Sequence, residues 1–340
     1  MLRRYTLLLW LFMAATALMG NAQTGVSRQG KAIPKIILDT DIGSSTDDLF
    51  AMQLLYRYAD EGQCHLLGVV VDRMGDSCIA LADAMNTYYG FENLPIGVER
   101  NGIAHPNVYI NYAKMARTPI ENGCDMFPHT YSRYDTLPDG WKLYRRLLAD
   151  AEDHSISIVA IGFVTTIAQL LESGPDSYSP LSGQELVRNK VKCIYFMGTK
   201  LGESDSPGYN LKSGLDAAHR FLDKWPREVD IVLSPSPAGD TIEYCPDSVV
   251  ADIWWTDRHP IKQVYTQNNC NTGQRMWDAL PVINAVEGNS LFGLSGRGWV
   301  TINENNRIEF SPDSNGNCRY QTVGDRETNR RLLEKIRQSN

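Results

Sequence analysis

The sequence predicts an α/β fold, a single domain built on an open, mostly parallel sheet with helices on both faces. Two observations carry that reading. Short continuous apolar runs alternate with segments of helical periodicity, as expected where every strand is buried on both faces. The 340 residues are 43% hydrophobic and 21% charged, which describes a globular chain with one sizeable core and excludes a disordered or collagen-like one. Lys plus Arg numbers 33 against 40 Asp plus Glu, a net charge of −7 with no basic tract. Nucleic acid is therefore not an expected partner.

The elements follow in order. Arg3 and Arg4 precede an apolar run from Tyr5 to Met19, and Gly20-Asn21-Ala22 offers small residues for a peptidase. The run is shorter than the roughly 20 residues of a spanning helix, so residues 1–22 are expected to be a cleaved signal peptide. The mature protein would then be periplasmic or secreted, with no membrane contact. The first strand is expected over Lys35 to Asp39, followed by a Gly/Ser/Thr/Asp loop and a helix from Asp48 to Tyr58. His65 to Val71 reads as a second strand, Ser77 to Tyr89 as a helix and Leu94 to Val98 as a third strand. Asn101 to Pro138, rich in Pro, Gly and aromatics, reads as a long irregular insertion. A helix within Asp139 to Asp153, a strand from Ser155 to Ile161, a helix from Thr165 to Glu172 and a strand from Val191 to Met197 continue the alternation. Asp216 to Lys224 is helical and Val229 to Leu233 a strand; a hairpin (Trp299 to Ile302, Arg307 to Phe310) and a helix from Asp325 to Arg337 close the chain. No linker or composition break divides residues 33–338, which are read as one domain.

Seven cysteines lie at wide, irregular spacing without a C-x-x-C pattern. They read as small buried hydrophobes with at most one or two bridges. His65, His154 and His219 fall away from any motif and read as structural, whereas His105 and His129 lie in the insertion, where a substrate-facing role stays open. Trp254-Trp255 reads as packing or a lid more readily than as a base platform.

Chemistry is concentrated in Asp39-Thr40-Asp41-Ile42-Gly43-Ser44-Ser45-Thr46-Asp47-Asp48, four carboxylates where a buried strand hands over to a helix. Helix capping accounts for one or two of them. Four at the carboxyl end of a parallel strand are economically explained by a hard divalent cation held through oxygen. The D-x-D start is shared with phosphatases of the haloacid dehalogenase type, but Gly43 departs from their pattern.

The motif Asp39-Thr40-Asp41-Ile42-Gly43, then Asp47-Asp48-Leu49-Phe50-Ala51, closely resembles the N-terminal signature of the inosine/uridine-preferring nucleoside hydrolases. The resemblance continues through Ile158-Val159-Ala160-Ile161-Gly162, Tyr195-Phe196-Met197-Gly198, Tyr209-Asn210-Leu211 and Trp277-Asp278-Ala279-Leu280, in order over most of the chain. It implies a nucleoside hydrolase-like fold and hydrolysis of the N-glycosidic bond of a ribonucleoside or similar ribosyl compound. It further implies a Ca²⁺ held by Asp41, Asp48, Asp278 and the main-chain carbonyl of Ile161. Asp41 would be the general base, Asp47 and Asn210 would hold the sugar, and Asp39 would support the site from behind. Family members are often dimers or tetramers, so a homo-oligomer is implied as well.

Three departures stand out. Trp277 replaces the family's His before the last Asp, Gly208 replaces the Glu of its E-F-N segment, and the ribose-contacting Asn after the second strand has Asp76 as its nearest candidate. Trp277 can stack on a base but cannot protonate it. These departures motivate one alternative, a non-catalytic nucleoside- or sugar-binding protein of the same fold. The D-x-D phosphatase is the other.

Overall fold

The computed structural model describes residues 32–104, 112–120, 123–201, 206–267 and 273–339. The expected signal peptide, His105 and Cys270 lie outside them. From residue 33 onward the chain forms one compact unit.

Strands β1 (Lys35–Thr40), β2 (His65–Met74), β3 (Ile96–Ala104), β4 (Ile156–Ala160), β5 (Val191–Met197) and β6 (Asp230–Ser234) carry the sheet. A two-stranded ribbon, β7 (Glu243–Tyr244) with β8 (Gln274–Arg275), lies apart from it. Strands β9 (Gly298–Ile302), β10 (Ile308–Pro312) and β11 (Cys318–Tyr320) complete the main sheet in the order β10-β9-β11-β6-β5-β4-β1-β2-β3. Every pairing from β11 to β3 is parallel, and β9 alone runs against the rest. Ile36, Ile37 and Leu38 of β1 and Val69, Val70 and Val71 of β2 are fully enclosed, as their unbroken apolar runs require. Two apolar clusters, one on each face of the sheet, form the core.

The order in which strands are added reverses at β1. From there the strands proceed through β2 to β3 on one side, while β4 returns to the other side and leads to β5 and β6. Ligands of open α/β sheets bind outside the carboxyl ends of strands at such a switch point. Asp41 follows β1 and Ile161 follows β4, so the fold brings together two segments 120 residues apart.

Close packing constrains the glycines of this half. A Cβ on Gly97 would meet Gly140 Cα at 2.9 Å, and one on Gly140 would meet Val70 Cγ1 at 2.7 Å. The helix Gly140–Ala149 can approach β2 and β3 only because neither position carries a side chain.

Most expected elements appear within one to three residues of the predicted ends. The insertion is shorter than expected, since β3 runs on to Ala104 and Tyr112–Arg117 forms a 3-10 helix. Helices Gly183–Lys190, Pro246–Asp252, Pro260–Gln267 and Ala279–Glu287 were not anticipated. The first announced itself: Ser182 and Glu185 form a reciprocal capping box, an S-x-x-E pattern legible in the sequence. Among the described residues no helix is long and apolar enough to cross a membrane.

His129 is buried as a tie rather than presented to substrate. Its Nε2 lies 2.9 Å from the Ala116 carbonyl and its Nδ1 3.6 Å from Asp83, whose carboxylate also accepts from the Thr130 and Tyr131 amides. The chain around residue 130 is thereby pinned to helix Asp76–Tyr88. Cys64, Cys78, Cys193 and Cys318 are buried thiols, as expected, whereas Cys124 and Cys245 are exposed, against that expectation.

His259 is enclosed by Tyr88, Tyr89 and Trp255, with the Tyr89 hydroxyl 3.1 Å from Nε2. Burial, with Lys262 adding to it, lowers its pKa from 6.5 to about 4. A depressed imidazole contributes stability above pH 6.5 that is lost as pH falls toward 4. The full loss is about 3 kcal/mol at about 1.4 kcal/mol per pKa unit. Urea melts at pH 7 and pH 5 should show wild type losing stability relative to His259→Phe; parallel losses would refute a buried neutral ring.

Candidate active site

Beyond the carboxyl ends of β1, β4 and β5 lies a cavity of about 640 Å³. Asp41, Asp47, Ile161, Asn210, Trp277 and Asp278 all line it. The spacer Ser44-Ser45-Thr46 carries the chain from Asp41 to the helix Asp47–Asp60, which presents both of its first two residues inward. Gln274 of β8 holds the spacer from above. Its amide donates to Ser45 Oγ at 3.0 Å and to Asp47 Oδ1 at 3.2 Å, and its carbonyl accepts from the Thr46 amide at 3.3 Å.

Asp48 sits under the cavity, where Thr40 Oγ1 donates to its Oδ1 at 2.5 Å. Among the described residues its buried Oδ2 has no hydrogen-bond partner. Asp47, Asp48 and Asp278 each bring a carboxylate oxygen within 4.8 Å of the others. Burial raises the pKa of Asp48 well above the carboxylate range, with Asp41 and Asp47 pushing the same way. Asp278 is raised by burial and then by Asp47, Asp48 and Asp41, and burial takes Asp47 to about 6. Crowded, desolvated carboxylates with an orphaned oxygen constitute a donor set suited to a hard divalent cation.

Asp41 is engaged from below. Arg73, fully buried at the end of β2, donates Nε–H to the Asp41 carbonyl at 2.7 Å and pairs through Nη2 with the Asp41 carboxylate. Asn210 turns its amide onto the carbonyls of Ile161 (3.0 Å) and Met197 (3.1 Å). Its NH₂ is thus committed to bracing two strand ends, which leaves Oδ1 as the atom for a ligand. Asp39 lies behind the site, wholly buried, accepting from Tyr144 at 2.8 Å and Thr166 at 2.7 Å. Burial raises it to about 6, and the neighbouring Asp72 is raised well above the usual range by burial and then by Asp39 and Asp41.

No protein-family model matches the chain, and no curated protein matches it by sequence. Solved structures do. The inosine-uridine preferring nucleoside hydrolase from Bacillus anthracis aligns with a TM-score of 0.66 at 14% identity, over 90% of this chain and 100% of that one. The chain has the nucleoside hydrolase fold. A purine-preferring ribonucleoside hydrolase from Gardnerella vaginalis aligns at 0.62 and 14% identity, over 90% and 98% of the two chains. The type III effector XopQ, solved with adenosine diphosphate ribose, aligns at 0.64 and 16% identity, over 91% and 94%.

On this nucleoside hydrolase fold the expected residues are gathered at one place, with one exception. Asp76 begins the helix Asp76–Tyr88 and lines a separate cleft with Arg100, Arg117 and Arg133. The charged residue that β2 delivers toward Asp41 is Arg73, because the strand extends three residues past the expected end and carries its last side chains under the β1 loop. The phosphatase alternative fails on geometry, since it needs Asp39 as an accessible nucleophile and Asp39 is sealed in the interior. Trp254 and Trp255 are exposed on the surface and do not line the cavity.

Sequence reading missed Asp72, Arg73, Asp240 and Gln274. Asp72-Arg73 directly after a buried apolar run was a usable signal, since charges are placed there only with partners. Asp240 holds the Trp277 indole, whose Nε1–H donates to Oδ1 at 2.9 Å, and the ring packs on the bare backbone of Gly239. Gly208 has φ 75°, and a Cβ there would meet the Thr199 amide nitrogen at 2.8 Å. A Glu at position 208 is excluded by this backbone as well as absent from the sequence.

Proposed function

We propose that the protein hydrolyses the N-glycosidic bond of a ribonucleoside or similar ribosyl compound to a free base and ribose. The observation that carries this reading is the cavity at the switch point of a nucleoside hydrolase fold, at which Asp41, Asp47, Asp48, Asp278 and Asn210 converge. Cleavage passes through a ribosyl cation and needs water at the anomeric carbon. A Ca²⁺ at the carboxylate cluster, when bound, supplies charge that makes water more acidic.

The protein's own groups do the rest. Asp41, at the cavity wall, takes the water proton as the new C–O bond forms. Asp47 accepts a hydrogen bond from a ribose hydroxyl while Gln274 keeps its carboxylate oriented. Asn210 accepts through Oδ1. The electron pair of the breaking C–N bond leaves with the base, which Trp277 stacks against and cannot protonate. Bases that depart without protonation should therefore be favoured.

The reading includes an exported protein, on the strength of Arg3, Arg4 and the apolar run that follows them, and a dimer or tetramer as in the resembling family. The test is release of reducing sugar from ribonucleosides, deoxyribonucleosides and p-nitrophenyl riboside, with Ca²⁺ and with EDTA. Metal-dependent release is expected, strongest for the p-nitrophenyl compound. Binding of nucleosides with no product from any compound would favour the non-catalytic alternative, to which Trp277 and Gly208 point.

Trp277 supplies a narrower test. Asp240→Ala removes the indole's hydrogen bond, so KM for a natural nucleoside should rise about fivefold, the value of one hydrogen bond near 1 kcal/mol. An unchanged KM in steady-state assays would separate the indole from base binding.

A further inference from the structure

We propose that Lys200 serves the leaving-group half of the reaction, as a positive charge that stabilises the base while it departs with its electron pair. This rests on the hydrolase reading above and names a residue for the step to which Trp277 brings no proton.

Lys200 and Trp277 both line the cavity, and the chain builds them into one wall. Strand β5 ends at Met197, and Thr199 then takes φ 78°, a left-handed conformation that β-branched residues rarely adopt. Hydrogen bonds on both sides hold the turn. The Thr199 amide donates to the Pro207 carbonyl at 3.0 Å and the Lys200 amide to the Ser206 carbonyl at 2.8 Å, while the Thr199 carbonyl accepts from the Ser236 amide at 3.0 Å. Ser236 opens the four-residue helix Ser236–Gly239, and Asp240, which holds the Trp277 indole, follows directly. The base of the Lys200 side chain is thereby tied to the segment that positions the aromatic ring.

Charges around the cavity divide by position. Asp41, Asp47 and Asp278 gather where the sugar is expected, whereas Lys200, Arg275 and Asp240 accompany Trp277, where the base is expected. Arg275 pairs with Asp240 at 3.2 Å, so these two offset each other and Lys200 brings the surplus charge to this wall. Among the described residues no histidine lines the cavity. Breaking the C–N bond puts positive charge on the sugar and negative charge on the base. Carboxylates at one end and an ammonium at the other match that separation, and such fixed charges act on the transition state more than on the neutral substrate.

The step balances without a proton donor. The electron pair of the C–N bond passes to the base nitrogen and spreads onto the ring carbonyl oxygens, and the Lys200 ammonium keeps its protons and donates a charge-assisted hydrogen bond to that anion. The water oxygen bonds to the anomeric carbon, its proton passes to Asp41, and the released base takes a proton from solvent.

The test is the leaving-group dependence of Lys200→Met and Lys200→Arg, measured with uridine and with phenyl ribosides running from p-nitrophenyl to unsubstituted phenyl. In Lys200→Met, kcat should fall about 10²-fold for uridine and phenyl riboside, the usual loss on removing one preorganised donor to a developing anion. The fall should stay within threefold for p-nitrophenyl riboside, whose anion needs little help, and KM should change little throughout. Lys200→Arg, which keeps the charge, should recover most of the loss. A merely structural role would lower all substrates alike, so an equal loss across the series in a variant with a wild-type melting curve would overturn the proposal, as would no loss at all. Either of those results leaves the hydrolase reading standing. A wild-type protein that cleaves none of these compounds would sink that reading and this proposal together.

Discussion

The Asp41→Asn protein is expected to cleave nucleosides with kcat lowered by about 10²- to 10⁴-fold, the usual contribution of a positioned general base. The substitution keeps the shape of the side chain and removes its capacity to take a proton. Because p-nitrophenolate leaves without a proton, the loss should be as large with p-nitrophenyl riboside as with inosine or uridine. That equality locates the defect in water activation and away from the leaving group. KM should move little, since Asp47 and Asn210 hold the sugar. Steady-state assays on both substrates, with melting curves to confirm folding, check the result. Full activity in Asp41→Asn would remove this residue from the chemistry and with it the resemblance-based role that names it.

The part of the site visible in the sequence is the part encoded locally. Asp39 to Asp48 span one strand end, one loop and one helix start, so a ten-residue window carries their convergence. The apolar runs that bracket them state that the surroundings are dry, and dry surroundings make four carboxylates conspicuous. Ile161, Asn210 and Asp278 became legible through the resemblance, because nothing in a lone Asn or a main-chain carbonyl signals a ligand. What stayed hidden depends on contacts between distant segments. Arg73 meets Asp41 across 32 residues and Gln274 meets Thr46 across 228, and neither contact leaves a periodicity in the chain. Asp76 drew attention as a polar residue after the second strand, yet the strand runs on to Met74 and turns Asp76 into a different cleft. The strand Cys318–Tyr320 is three residues long, too short to show any pattern, although it joins the C-terminal hairpin to the sheet through β6.

Calcium is expected to stabilise the protein more at pH 7 than at pH 5. Burial raises Asp47 from 3.8 to about 6 when no cation is present, and Asp48 and Asp278 are raised in the same direction. A carboxyl whose pKa is raised by folding favours the folded state below its unfolded pKa, and that contribution is lost as pH climbs through the folded value. For Asp47 the window runs from 3.8 to about 6. Above it the cluster is a set of enclosed negative charges held together at the expense of the fold, and a bound dication relieves that repulsion. Below it the protons must first be displaced, so the cation binds more weakly. Ca²⁺ at about a hundredfold over its dissociation constant adds about 2.7 kcal/mol, or about 4 °C in Tm for a unit of this size at about 2 cal/mol/K per residue. Melting temperatures with Ca²⁺ and with EDTA, taken at pH 5 and pH 7, give the comparison. His259 and Asp39 titrate in the same region but lie outside the cluster, so their effects appear in both conditions and cancel in the difference. A Ca²⁺ increment of equal size at the two pH values would mean that these carboxylates do not hold the ion.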